Sequence, residues 1–404
     1  MPAGRAGRWL LVLGFMAVCL YPAARYGAMT WRNFPASLTA PNGAVVVRDF
    51  VDFWGAARAV REGHAALPFD PAAFHRWLQA RFAPAQDVNT WSYPPSFLLL
   101  LLPLGFLGLL PAFGLWLGGT LALLFGVLRR LGIGAVPALA VLVSPAAAET
   151  LLDGQNGALT ASLLAGGFGL LDRAPVAAGV MFGVLTIKPQ LGLLVPVALL
   201  AARQYRAVVA AVVTAAALAG LSALVLGAGS WSGFFAATRP YMTHLLLLSG
   251  HRQLYQLMMP TMFMAARVSG AGVALATGLQ GVATALAAGA MWWLWSRPAP
   301  PALRLALSLT LVLLATPFAY DYDMVPVAIA AMLLAREGSG TGFCRARARC
   351  WRRGCCRGSW FRSDFWGYRW PGRRSSRGWR SCWCGGFAAA LEHLYPIGWD
   401  HLIG

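Results

Sequence analysis

Asp49 and Asp52 stand three residues apart in Val46-Val47-Arg48-Asp49-Phe50-Val51-Asp52-Phe53-Trp54-Gly55-Ala56-Ala57, within a chain that has only fourteen acidic residues among 404. A carboxylate within hydrogen-bond reach of a hydroxyl takes its proton as that oxygen becomes a nucleophile, so either aspartate could serve as a general base. Two aspartates at this spacing could instead share a cation. A divalent site needs further oxygen ligands, the neighbouring sequence offers none, and no metal is expected. Taken alone, the pair also fits a solvated loop with a helix N-cap. Lys188 is the chain's only lysine. Between Ile187 and Pro189 at a helix end, it suits a point-charge contact with a phosphate or a stem that snorkels to the membrane interface. Gly154-Gln155-Asn156-Gly157 places Gln155 and Asn156 on a turn at a helix start, a setting suited to binding an anion or a hydroxyl. His251-Arg252 could clamp a phosphate, although a loop histidine is more often structural. Asp321 and Asp323 flank Tyr322 just before an apolar stretch, as site residues or as helix caps. Tyr93 and Gln190 also fall among these polar groups.

Composition sets the medium in which these groups work. Hydrophobic residues make up 58% of the chain, charged residues only 12%, and mean hydropathy is +0.59. A soluble protein of this length is about one quarter charged, so the chain reads as an all-α polytopic membrane protein. Its net charge of +19 is almost entirely arginine. Those arginines fall between apolar stretches and do not form a patch interleaved with aromatics, so nucleic acid is not an expected partner. Cys19 lies in the first apolar stretch and the other six cysteines fall between Cys344 and Cys384, so the main body has no disulfide framework.

Arg5 and Arg8 before the apolar stretch Trp9–Met29 read as a retained signal anchor with its N-terminus in the cytoplasm. Residues 30–93 then form a large first extracytoplasmic loop. The proline- and glycine-rich run Pro94–Pro111 is expected to lie at the interface. The next crossing, Ala112–Leu128, ends at Arg129-Arg130 on the cytoplasmic side. Crossings are then expected at Ala135–Thr150, Ala158–Leu171, Val176–Ile187, Leu191–Ala202, Ala207–Leu226, Ala271–Trp295, Leu303–Ala315 and Met324–Ala335, about ten in all. On this plan Asp49, Asp52, Gln155, Asn156, Lys188, Gln190, His251, Asp321 and Asp323 share the extracytoplasmic side. Ionisable groups at membrane depth are costly and mark pathways or sites, so the set reads as one polar cavity.

From Thr341 the pattern breaks. Residues 341–404 carry twelve arginines, seven tryptophans and six cysteines, with no sustained apolar period. A basic cytoplasmic tail is one reading. A shift of reading frame near Gly340 is the one the composition favours, because GC-rich leucine, alanine and valine codons read out of frame give largely Cys, Trp, Arg and Gly. The tail is assigned no function. The organisation expected is thus a transmembrane domain over 1–340 and a separate, frameshifted or disordered segment over 341–404.

The run Asp49-Phe50-Val51-Asp52-Phe53-Trp54-Gly55-Ala56-Ala57 followed by Tyr93-Pro94-Pro95-Ser96-Phe97 resembles the opening of the polyprenol-phosphate-mannose-dependent mannosyltransferases, glycosyltransferase family 87. Gly154-Gln155-Asn156-Gly157 and Ile187-Lys188-Pro189-Gln190-Leu191 match that family in order and approximate distance. The similarity runs from about Trp9 to Arg336. It implies a GT-C-like bundle and an inverting glycosyltransferase of the plasma membrane. Such an enzyme takes a sugar, with mannose expected, from a polyprenyl-phosphate donor to a lipid or glycan acceptor on the outer face, with no cofactor. The family's catalytic aspartate falls on Asp49, and Asp52 is an extra acid within the pattern. The family usually continues through further spans where this chain has its arginine-rich tail, a departure that fits a frameshift. A transporter or lipid-linked sugar flippase is the rival reading. Paired broken helices in inverted repeats would favour it, and no convincing repeat is seen.

Overall fold

Proline and small polar residues fix where the helices begin. Proline opens the helices at Pro71, Pro95, Pro145, Pro175 and Pro301, positions where its missing N–H leaves no bond unmade. Asp70, Ser144 and Thr261 cap helix starts by accepting from the backbone N–H groups of Ala73, Ala147 and Met264 at 3.0, 3.4 and 3.1 Å, satisfying donors the helix cannot.

The computed structural model describes residues 47, 49–82, 90–247, 256 and 258–340. The expected anchor at Trp9–Met29, Cys19, His251, Arg252 and the tail 341–404 lie outside the described residues. In chain order the helices are α1 (Phe50–Arg61), α2 (Pro71–Arg81), α3 (Pro95–Leu101), α4 (Leu109–Arg130), α5 (Ala135–Leu142), α6 (Pro145–Asp153), α7 (Gly157–Leu170), α8 (Pro175–Val184), α9 (Val195–Ala201) and α10 (Tyr205–Leu226). The short α11 (Gly229–Gly233) and α12 (Arg239–Leu247) follow, then α13 (Met262–Val268), α14 (Val273–Trp295), α15 (Pro301–Ala315) and α16 (Val325–Gly340). Among the described residues there is no strand, as expected of an all-α membrane protein.

Among the described residues three helices, α4, α10 and α14, are long and apolar enough to cross a membrane alone, and α5 with α6, bent by 57°, makes either a broken span or a re-entrant pair. Length and composition among these residues thus support three or four crossings, and the plan of about ten is not confirmed. α7, α8, α9 and α15 stop short because each ends at the same collection of polar residues. Within the stretch expected as a loop, a helix begins at Phe50, so the aspartate pair sits on a helix start.

Side-chain contacts fix helix directions. α4 and α7 run parallel: Trp116 Nε1 donates to the Gly154 carbonyl at 2.9 Å near their starts, and Leu131 packs on Gly169 at their ends. α8 and α10 are also parallel, with Gly179 against Ala207 and Gly183 against Ala211 and Thr214. α15 runs against α14, Gln280 Nε2 donating to the Leu314 carbonyl at 3.1 Å and Trp295 Nε1 to Ser308 Oγ at 2.9 Å. Arg304 at the start of α15 pairs with Asp172, and Arg336 near the end of α16 donates to the Gly132 carbonyl. One end of the bundle is therefore an arginine end. The turns before α7, after α8, after α15 and before α16 gather at the other.

The run before α4 is strapped to α1. After α3 a 3₁₀ turn, Leu102–Phe106, brings Gly105 so close that a Cβ there would stand 2.6 Å from the Ala57 carbonyl oxygen. Trp54 Nε1 donates to the Leu107 carbonyl at 3.0 Å, and Arg58 and Arg61 both reach the Gly105 carbonyl at 3.5 Å. Phe53 stands edge-on to Trp91, Tyr93, Phe97 and Trp116, with ring centroids 5.2–6.4 Å away; such edge-to-face pairs add to burial. At the far end of α1, Glu62 accepts from Arg58 at 2.9 Å and Arg81 at 2.6 Å. The Arg58 hydrogen bond, with the charges of both arginines, holds its carboxyl below the usual carboxylate range.

Candidate functional site

The turn between α6 and α7 is built around two glycines. Gly154 ends α6 in the left-handed region at φ +68, which only glycine adopts readily, and a Cβ there would lie 2.5 Å from Phe50 Cβ. A Cβ on Gly157 would overlap the Tyr322 carbonyl. The turn is thus a packed joint between α1, α4 and the segment before α16, not the flexible loop its composition suggests. It holds Gln155 and Asn156 in fixed directions, 6% and 0% exposed.

These neighbours serve two different charges. Gln155 Nε2 donates to Asp49 Oδ2 at 2.9 Å, while its Oε1 accepts from the Tyr93 hydroxyl at 3.2 Å. Asp49 occupies the N-cap position of α1 without using its side chain as a cap, so the capping role weighed from sequence is not the one it fills. Its half-buried carboxylate is positioned by an amide 106 residues away.

Asn156 faces the other way. Its Oδ1 accepts from Lys188 Nζ at 3.2 Å, and the same ammonium donates to both oxygens of Asp323 at 2.6 and 2.8 Å. Lys188 is 2% exposed and Asp323 0%. Lys188 stands between two 3₁₀ turns, Leu185–Ile187 and Pro189–Gly192, at the tip of a hairpin formed by α8 and α9. Asp323 Oδ2 also accepts from the Tyr320 N–H at 3.1 Å, which fixes the turn Asp321–Met324 ahead of α16. The ammonium lies 4.7 Å from the centre of the Tyr322 ring and 6.0 Å from that of Tyr93. Three protons meet three acceptors, so the snorkelling alternative does not describe Lys188. Its charge is neutralised by a paired acid in a protein interior, where an unpaired charge would be costly.

Tyr93, Asp49, Gln155, Asn156, Lys188 and Asp323 thus form one continuous constellation. Asp52 lies one turn into α1, half-buried. Gln190 is half-buried on the lysine's turn and makes no side-chain hydrogen bond among the described residues. Asp321 accepts from the Tyr322 N–H at 2.8 Å, a local turn contact. Two participants were not anticipated: Tyr322, whose ring covers the lysine, and Trp116, which pins the Gly154 carbonyl. Trp116 sits mid-sequence in an apolar helix, and nothing in the sequence distinguished it from an interfacial aromatic.

A bundle of apolar helices that brings an amide-held carboxylate and a buried ion pair to one end defines a membrane protein with an internal polar site. The chain belongs to glycosyltransferase family 87, whose model matches residues 91–317, and it is therefore a membrane glycosyltransferase acting on a sugar donor and an acceptor. The match takes in Tyr93, Gln155, Asn156, Lys188 and Gln190, while Asp49 and Asp323 lie outside its limits. No curated protein and no solved structure matches the chain.

Proposed function

We propose that this glycosyltransferase moves a sugar, mannose, from a polyprenyl phosphate to a lipid or glycan acceptor on the extracytoplasmic face of the plasma membrane, with inversion, in a GT-C-like bundle. The observation that carries the reading is the Tyr93–Gln155–Asp49 chain. A carboxylate offers about four lone-pair sites, so the bond that Gln155 makes to Asp49 Oδ2 orients the carboxylate without by itself filling its accepting capacity. In the reaction the acceptor oxygen bonds to the anomeric carbon as the carbon–phosphate oxygen bond breaks. The hydroxyl proton goes to Asp49, and the electron pair leaves on the polyprenyl phosphate. Asp52, one turn further along α1, is a helper or alternative base.

The departing phosphate gains negative charge and needs fixed positive charge more than a proton. Lys188, its charge matched by Asp323, holds Asp323 and Asn156 in place at the floor of the site; His251 and Arg252 are the proposed direct contacts with the phosphate. Gln190 and Tyr93 line the donor's side. The test is transfer from radiolabelled polyprenyl-phosphate sugars in membranes. Asp49→Asn is expected to remove transfer while retaining donor binding. Turnover in that variant at the wild-type rate would overturn the assignment of Asp49.

A further inference from the structure

An open furrow lies at the opposite end of the bundle from Asp49. α8 and α10 meet backbone to backbone, since a Cβ on Gly183 would stand 2.5 Å from Thr214 Cβ and 2.7 Å from the Ala211 carbonyl. Small residues four apart permit this approach between membrane helices. The close crossing leaves a furrow beside it, walled by Val176 and Val180 from α8 and by Val209 and Val213 from α10, with a volume of about 590 Å³. All four valines are exposed, between 42% and 61%. The furrow ends at Tyr205 and Arg206, in the first turn of α10.

Because α8 and α10 start together, Arg173 and Arg203 stand in the loops at that same end. Arg173, Arg203 and Arg206 are exposed, and among the described residues none pairs with an acid. The neighbouring acid, Asp172, is engaged by Arg304. An apolar furrow closed at its membrane-surface end by unpaired guanidinium groups has the charge and shape of an acidic lipid, hydrocarbon inward and phosphate outward.

We propose that this furrow binds one acidic glycerophospholipid of the bilayer, its acyl chain between the valines of α8 and α10 and its phosphate on Arg206. Arg203 and Arg173 add to the field. A sugar donor presenting its phosphate near Asp49 has its headgroup at the other end of the bundle, so the two lipids occupy different leaflets. The bound lipid clamps α8, the helix that carries Lys188 at its far end, against α10.

The test uses the purified full chain in detergent, with phosphatidylglycerol or phosphatidylcholine added, read by native mass spectrometry and by thermal melting. Phosphatidylglycerol is expected to stay bound and raise the melting temperature, and phosphatidylcholine is not. Arg206→Ala should weaken phosphatidylglycerol retention about fivefold, the effect of one cation at an acidic lipid surface, and Arg206→Lys should keep most of it. Val209→Trp, which fills the furrow while leaving the arginines, should abolish retention. Equal binding of the two lipids, an Arg206→Ala variant that retains phosphatidylglycerol as well as wild type, or a polyprenyl phosphate that displaces it from the furrow would each overturn the proposal.

Discussion

Lys188 and Asp323 are the residues on which the site's integrity rests, and they are coupled by burial. A buried pair left with one partner keeps an uncompensated charge, at a cost of about 3–5 kcal/mol, whereas replacing both with apolar groups is often nearly neutral. Lys188→Met is therefore expected to lower the melting temperature sharply, and Asp323→Leu similarly. The double variant should regain the greater part of the loss. It will not regain all of it, because Asn156 Oδ1 loses its donor and the Tyr320 N–H its acceptor. Melting curves of the two single variants and the double variant measure the coupling. Additive losses would mean that the pair contributes nothing as a pair. Transfer should be absent in all three, since Asn156 and Gln155 are consecutive and a turn that loses one anchor no longer aims the other at Asp49.

The position of α1 decides where Asp49 points, and α1 is set by its close fit to the 3₁₀ turn at Leu102–Phe106. Gly105→Ala places a methyl group 2.6 Å from the Ala57 carbonyl, and backbone cannot yield as a flexible side chain can. Overpacking of this kind costs about 1–3 kcal/mol. The variant should fold with a reduced melting temperature, lose the Trp54 bond to the Leu107 carbonyl, and show a larger drop in kcat than in donor affinity as Asp49 shifts. Transfer assays with donor titration measure both, and an unchanged kcat would show that α1 does not position the base. This joint also marks how far the sequence could be read. Long apolar periods gave α4, α10 and α14 to within a few residues, and the lone lysine and the Gly-Gln-Asn-Gly turn singled themselves out by composition. Pairings across 106 residues, as in Asp49–Gln155, or 135, as in Lys188–Asp323, depend on helix packing and leave no local trace. A helix start at the aspartate pair is one of the readings its residue types allow, and Asp49 does stand at the N-cap position. The fit of the proline-rich run to α1 depends on the single missing Cβ of Gly105, which composition does not reveal.

At the scale of the bundle, helix length and charge bear on the proposed depth and side of the site. An α-helix rises 1.5 Å per residue, so the helical stretch Pro175–Ile187 carries Lys188 only about 20 Å from the arginine end. The hydrocarbon core is about 30 Å thick, so with the arginine end at one boundary the Lys188 turn would stand about 10 Å short of the other. α7 and α15, of 14 and 15 residues, end at a similar level, and the polar constellation between them is buried in the bundle. The proposed side rests on charge. Arg129, Arg130, Arg173, Arg203, Arg206, Arg297, Arg304 and Arg336 gather at the arginine end, against Arg58, Arg61, Arg76, Arg81, Arg239 and Arg267 elsewhere among the described residues, of which Arg58 and Arg81 pair with Glu62. Positively charged loops favour the cytoplasm, and this is the ground for the proposed outward orientation of Asp49. Green fluorescent protein fused after Arg203 should therefore fluoresce, and alkaline phosphatase fused there should be inactive. Fusions after Ala228, at the other end of α10, should give the reverse. If the phosphatase were active after Arg203 and silent after Ala228, the site would open to the cytoplasm, and the donor would have to be drawn from the inner leaflet.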